Sequence, residues 1–312
     1  MIYALRHVAS YAYASVVPFS RHIARMMPGD RRGQRVIGAV LDIAPDPAER
    51  SAATDFFGNR ITVFALDEPH DRLTVELTAR IEVIPPEPLL ASLTQPVGAV
   101  LAAAPAVRDI GPTSPAHHVF PSPSVALDPA VTAYALESFG AKRPILEAAL
   151  ELNARIHDDF AYEPGSTDTR TLPIEAFEAR QGVCQDFAHV MIAGLRGLGI
   201  PAAYVSGYLR TDPPPGRPRL EGADATHAWI SVWCGPETGW IGLDPTNAMA
   251  AGEDHIVTAV GRDYSDVSPI DGVIIASGGH TLTVEVDVAP MLPRVEGRGA
   301  PRSPPAAARR GA

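Results

Sequence analysis

Cysteine is nearly absent: the 312 residues hold two, Cys184 and Cys234. Two isolated cysteines without CxxC spacing cannot build a zinc site unaided and give at most one disulfide. Free thiols in a reducing compartment are the simpler expectation. Positive charge is also short, with 26 Lys+Arg against 36 Asp+Glu and a formal net charge of −10. A chain without a basic surplus is a poor match for nucleic acid, so no nucleic-acid partner is expected. No run reaches the roughly 18 consecutive apolar residues of a membrane helix, so no membrane partner is expected either. The opening MIYALRHVASYAYASVVPF has no basic start followed by an apolar stretch and a small-residue cleavage site. A cytoplasmic location follows as the default expectation. There is no clustered acidic loop of the kind that binds calcium. His117-His118 sits in a proline-rich stretch and His255 follows Asp254 with no ligand at useful spacing. Both read as surface coincidences, and neither a metal nor another cofactor is expected.

What is present fits a soluble globular chain, 46% hydrophobic and 20% charged, long enough for two domains at roughly 150 residues each. Residues 1–86 read as an antiparallel β domain, with strand-like runs at Ile2–Tyr13, Gln34–Ile43, Ile61–Leu66 and Leu73–Ile84. Leu73, Val75, Leu77, Ala79, Ile81 and Val83 alternate with polar partners, which predicts a strand with one buried face. Residues 87–129 are rich in proline and alanine and read as an extended connector with a short helix near Pro96–Ala104. Residues 130–290 read as a mixed core. Helices are predicted over Ile145–Phe160, Thr171–Arg180 and Cys184–Leu198, and strands over Ala203–Leu209, Ala225–Cys234 and Trp240–Leu243. Two further β-runs, Gly272–Ala276 and Thr281–Val288, close this core. Residues 291–312 lack periodicity and are expected to be disordered.

The chemistry concentrates in three stretches. In Gly182-Val183-Cys184-Gln185-Asp186-Phe187-Ala188-His189, Cys184 opens a helix. The positive end of the helix dipole favours the thiolate there, and first-turn amides can donate to an oxyanion. Taken alone, a lone cysteine on an apolar helix is more often a small buried residue. In Asp224-Ala225-Thr226-His227-Ala228-Trp229 a histidine lies on a strand, and seventeen residues on, Asp244 ends the next strand. Adjacent antiparallel strands would bring that carboxylate beside the imidazole, fixing its tautomer and leaving the other nitrogen for the thiol proton. His189, five positions along the helix from Cys184, falls on another face. Cys234 reads as a core residue.

The stretches GVCQDFAH, GIPAAYVSGYL, DATHAWISVW and GWIGLDPTN resemble the core motifs of the transglutaminase-like superfamily. ALRHVASYAYASVV and DFFGNRITVFALDEPHDRLTVE resemble the β-rich N-terminal region that precedes this core in bacterial members, and GRDYSDVSPIDGV resembles the segment after it. The resemblance implies an α+β, papain-like core of helices on an antiparallel sheet. It also implies a triad of Cys184 as nucleophile, His227 as base and acid, and Asp244 as orienter. Gln185, Asp186, Tyr208, Trp229, Trp240 and Asn247 are supporting candidates. Asp186 would orient the first helical turn, Tyr208 and Trp240 would line the cleft, Trp229 would pack the sheet, and Asn247 would close the turn. The implied activity is acyl transfer on peptide or glutamine-type amides of a peptide or protein substrate, through a thioester. Hydrolysis is favoured because water is always available, whereas no motif announces an amine channel. Amine cross-linking by a protein-glutamine gamma-glutamyltransferase and a non-catalytic scaffold are the alternatives.

Overall fold

The computed structural model describes residues 1–211 and 226–291; past its first residue, the expected tail at 291–312 lies outside the described residues. In chain order the elements are β1 (Ile2–Val17), β2 (Phe19–Ala24), β3 (Gln34–Ala44), β4 (Glu49–Thr54), β5 (Arg60–Leu66) and β6 (His70–Val83). Next come α1 (Val97–Ala103), α2 (Pro129–Leu136), α3 (Ile145–Asp159), β7 (Ala161–Tyr162), α4 (Pro173–Ala179), β8 (Gln181–Gly182) and α5 (Cys184–Gly197). The chain ends with β9 (Ala202–Leu209), β10 (Thr226–Trp233), β11 (Trp240–Asp244), β12 (Met249–Ala250), β13 (His255–Gly261), α6 (Tyr264–Val267), β14 (Ile270–Ile275) and β15 (His280–Pro290).

Two four-stranded antiparallel sheets, ordered β15-β1-β6-β3 and β14-β2-β5-β4, form the N-terminal region. The alternation read in β6 is the reason they pack. Leu73, Val75, Leu77, Ala79, Ile81 and Val83 are all buried, and they share one apolar cluster with Phe64 and Leu66 of the other sheet. Facing sheets that interdigitate in this way make a β-sandwich. β14 and β15, expected within the core of residues 130–290, instead complete the two sandwich sheets by pairing with β2 and β1. Apolar alternation announces a strand and says nothing of which edge it joins. β4 carried no signal because every residue of it is exposed, and its pairing with β5 alone makes it a strand.

The second layer system is the five-stranded antiparallel sheet β12-β11-β10-β9-β13 with helices packed on it. α5 lies at its centre, and every residue from Gln185 to Arg196 is buried. Strand alternation divides β10 between two faces. Ala228, Ile230 and Val232 join α5 residues in the helical core, which leaves His227 and Trp229 to the other side. α2 starts where Asp128 accepts from the Ala130 N–H (2.7 Å) with Pro129 in the first turn, a cap and an N1 proline.

The stretch read as an extended connector is more than a surface strap. Val97, Val100, Ala104 and Val125 are buried in the helical core. Near its end, Arg196 of α5 reaches out from a buried position. Its guanidinium donates to the carbonyls of His118, Phe120, Ala202 and Arg262 and to the Ser122 hydroxyl, at 2.6–3.1 Å. Burial pulls its pKa down to about 10, with Asp263 opposing. His118, expected on the surface, is buried with its ring edge-on to Trp240. Arg196→Met should therefore leave several buried carbonyls without donors. We expect a loss of about 3–5 kcal/mol in denaturant unfolding, with faster proteolysis of the connector. An unchanged midpoint with unchanged proteolysis would refute the anchoring role.

Candidate active site

Cys184 is fixed by the segment before it. β7 and β8 form a short parallel pair, with Ala161 N–H donating to Arg180 O (2.9 Å) and Glu163 N–H to Gly182 O (2.9 Å). Arg180 adopts a left-handed conformation (φ 52°) and stacks its guanidinium over Phe177 (4.2 Å), Tyr134 and Phe160 (4.9 Å each). Cations over ring faces in this arrangement are attracted to the ring quadrupole. One turn into α5, the Asp186 carboxylate turns back to accept from the Val183 N–H (2.8 Å) and the Thr167 hydroxyl (2.6 Å). Burial raises the Asp186 pKa against these hydrogen bonds. A side chain at position 182 would collide with that carboxylate, because a Cβ on Gly182 would stand 2.7 Å from Asp186 Cβ. The half-buried Cys184 is thereby set as the first residue of α5, where helix amides lack intrahelical partners.

Across from it, His227 Nε2 bonds Asp244 Oδ2 at 2.7 Å, and the Cys184 side chain is near enough to the same imidazole to raise its pKa. With Nε2 engaged by the carboxylate, Nδ1 is the nitrogen left for the thiol. Burial lowers the His227 pKa, but the hydrogen bonds to Asp244 and Cys184 outweigh it and push the value up to about 9. Asp244 ends β11 fully buried. Its Oδ1 accepts from Thr246 N–H (2.9 Å) and Asn247 N–H (3.2 Å), and its Oδ2 also accepts from Asn247 Nδ2 (2.7 Å) and His255 Nε2 (3.2 Å). Burial pushes its pKa up, yet the bonds from His227, His255 and Asn247 hold it well below the usual carboxylate range.

The supporting candidates divide. Asn247 and Asp186 hold Asp244 and the α5 start as described, and Gln185 reaches the carbonyl of Thr169 (3.4 Å). Trp229 is fully buried, its ring 6.0 Å from His227 and edge-on to His255 at 5.1 Å. It fits because Gly207 on β9 has no side chain; a Cβ there would stand 2.7 Å from Trp229 Cη2. Tyr208 does not line the cleft. It is buried against the sandwich with its hydroxyl 2.8 Å from His7 Nδ1, since its neighbour Gly207 is the residue opposite His227. Trp240 starts the strand that Asp244 ends, and it pins the connector by donating to Thr113 O (2.9 Å). His189 accepts from the Tyr264 N–H, away from the thiol. Cys234 is buried and burial pushes its thiol up to about 12.

Two residues near the site were missed. Tyr162, 52% exposed, stands close enough to Cys184 for a thiolate to raise its pKa, with burial the larger cause. His255, expected to lack a partner, is buried and bonds Asp244. Among the described residues His227, Asp244 and His255 bring three potential ligand atoms within 4.8 Å of one another. The hydrogen-bond polarity reads differently from a metal site. His255 Nδ1 accepts from Gly252 N–H (3.2 Å), so the ring proton sits on Nε2 and points at the carboxylate, where a ligand would need a bare nitrogen.

Comparison with known proteins agrees with this architecture. Residues 3–82 match the bacterial transglutaminase-like N-terminal region and residues 132–245 the transglutaminase-like superfamily core. An uncharacterized protein of Mycobacterium tuberculosis is 41% identical over 92% of both chains, and one of Mycobacterium leprae is 32% identical over 90% of this chain and 96% of its own. A protein-glutamine gamma-glutamyltransferase of Pseudomonas aeruginosa is 37% identical over 30% of this chain and 14% of its own length. The crystal structure of a presumptive cysteine protease from Cytophaga hutchinsonii superposes with a TM-score of 0.71 at 23% identity, covering 93% of this chain and 90% of that one. On the paired family matches and the full-length relatives, the chain belongs to the transglutaminase-like superfamily, in its bacterial form with the β-rich N-terminal region.

Proposed function

We propose that this chain is a cysteine-nucleophile acyl-transfer enzyme that hydrolyses peptide or glutamine-type amide bonds. The observation that carries the reading is His227 bonded to the buried Asp244 carboxylate, with the Cys184 side chain near the same imidazole. In the reacting form the thiol proton lies on that imidazole, whose raised pKa favours holding it, and Cys184 attacks as the thiolate. Cys184 Sγ attacks the amide carbonyl, and the oxyanion is met by the unpaired first-turn amides of α5. His227 then gives its proton to the leaving amine, and a thioester remains. His227 next takes a proton from water as it attacks the thioester, and the carboxylate product leaves. Asp244 stays ionised throughout and orients the ring. Cys184 is itself only partly buried, which supports access of water to the thioester. The short match to a protein-glutamine gamma-glutamyltransferase keeps amine transfer as the second reading.

Iodoacetamide alkylation tests the pair directly, because the unactivated Cys234 is buried and stays silent. We expect Cys184 alkylation to hold an elevated plateau between about pH 5 and 8 that His227→Ala abolishes. A single rise near the ordinary thiol pKa of about 8.5 in both proteins would sink the enzyme reading. With peptides and glutamine amides as substrates, product release should proceed without added amine. Release that depends on an amine acceptor would replace hydrolysis by cross-linking.

The same pair carries a stability signature. His227 has a raised pKa, so its contribution is fully present below its unfolded value and is lost as pH rises through about 9. Asp244 has a depressed pKa, so its contribution is present above the ordinary carboxylate range and is lost as pH falls through its folded value. Asp244→Ala should cost about 3–5 kcal/mol near pH 7 by leaving His227, His255 and Asn247 without their acceptor. It should also flatten the pH dependence of thermal unfolding; an unaltered profile would show that Asp244 is not the linked group.

A further inference from the structure

His255 and the strand that carries it have no place in the mechanism above, yet the N-terminal sandwich grips that strand at three points. β13 is the edge strand of the five-stranded sheet. On its outer side Gln34, at the start of β3, makes a two-point bond to one residue. Its Nε2 donates to Val257 O and its Oε1 accepts from Val257 N–H, both at 2.8 Å. Asn59, before β5, does the same to Val260, donating to its carbonyl and accepting from its N–H at 2.8 Å each. These are the bonds a neighbouring strand would make to an open edge. Both amides are themselves buried and fixed: Gln34 donates to Gly29 O (3.0 Å), and Asn59 is held by Asp55 (2.9 Å) and Arg31 (2.6 Å). The third grip is Tyr3 of β1, whose hydroxyl donates to Asp254 (2.8 Å), the residue before His255.

What these grips hold in place is the His255 ring. Its Nδ1 accepts from Gly252 N–H, its Nε2 meets Asp244 Oδ2 at 3.2 Å, and Trp229 packs on it edge-on. Oδ2 is the oxygen that His227 also uses. A third donor at that oxygen, beside His227 and Asn247 Nδ2, further restricts rotation of the carboxylate, and an orienting carboxylate acts only while its oxygen faces the imidazole. We infer that His255 is a positioning residue for the Asp244–His227 pair, and that the sandwich belongs to the working site by holding β13, through Gln34 and Asn59, in the register that delivers His255. This rests on the acyl-transfer reading and gives the N-terminal region a role in it.

The test uses the whole chain and the alkylation rate of Cys184 at pH 7. His255→Phe keeps the ring volume without the donor and should slow alkylation about tenfold or more, the scale on which misplaced catalytic groups act. His255→Gln restores an N–H and should recover the rate to within about threefold of wild type. Gln34→Met should slow alkylation in the wild-type background and add nothing to His255→Phe. Equal rates for wild type and His255→Phe, or a folded His255→Gln as slow as His255→Phe, would overturn the positioning role. Additive losses from Gln34→Met would overturn its link to the sandwich. A second measurement needs no variant: in protein with nitrogen-15-labelled histidine, the His255 ring should be protonated at Nε2 and bare at Nδ1. The opposite tautomer would overturn the bond on which the inference stands. A wild-type thiol of ordinary reactivity would instead defeat the acyl-transfer reading, leaving the tautomer to judge the His255–Asp244 contact separately.

Discussion

Taking a carboxylate out of water costs several kcal/mol unless other donors replace the solvent, and Asp244 has no exposed surface at all. Five hydrogen bonds replace its water, two from backbone N–H groups of the turn after β11 and three from the side chains of His227, Asn247 and His255. Those partners come from β10, from the turn itself and from β13. The strand order β11-β10-β9-β13 is thus constrained at one atom, Oδ2, on which the far edge strand and β10 both converge. The sheet must twist and pack so that His255 and His227 reach the same oxygen. Gly207 and Trp229 allow this, one by lacking a side chain and the other by filling the space beside both rings.

Much of this was legible in the chain. Cys184 could be placed at a helix start from Gly182 and the apolar run behind it, and the alternation in β6 announced a strand with one buried face. The neighbours of the site were harder for a physical reason. Strand periodicity assigns a residue to a face but not to a depth or an edge. Tyr208 therefore read as a cleft residue when it faces His7 of the sandwich, and Trp240 read likewise when it ties down Thr113. His255 gave no signal because its partner is eleven residues away along the chain, with two strands between them in the sheet. β14 and β15 could be seen as strands, while their return to the sandwich depended on long-range pairing that no local pattern encodes.

The two layers of the molecule also differ in how they hold together. Inside each, apolar side chains from neighbouring elements fill one cluster. Between them, Ile256 of β13 and Tyr208 of β9 enter the sandwich's apolar cluster, and directional bonds cross beside that contact: amide pairs from Gln34 and Asn59 to β13, a phenol from Tyr3 to Asp254, and a tyrosine–histidine bond between Tyr208 and His7. Directional bonds fix register where apolar contact permits sliding, because a one-residue slip of a strand reverses every side chain. A slip of β13 would turn His255 away from Asp244. The directional bonds beside this apolar contact are thus matched to what the junction carries.

The arrangement couples chemistry to stability in a graded way. If Asp244 had His227 as its sole side-chain partner, replacing that histidine would strand a buried charge. With His255 and Asn247 bound as well, the carboxylate keeps most of its donors when His227 is lost, so a chain without that histidine can still fold. Loss of Asp244 is different, since it leaves three side chains without their acceptor at once. Unfolding of the His227→Ala and Asp244→Ala proteins should therefore separate widely. A transglutaminase-like chain drifting toward a scaffold role would shed its histidine or cysteine more readily than its aspartate. This chain has Cys184, His227 and Asp244, with His255 as a further partner of that carboxylate.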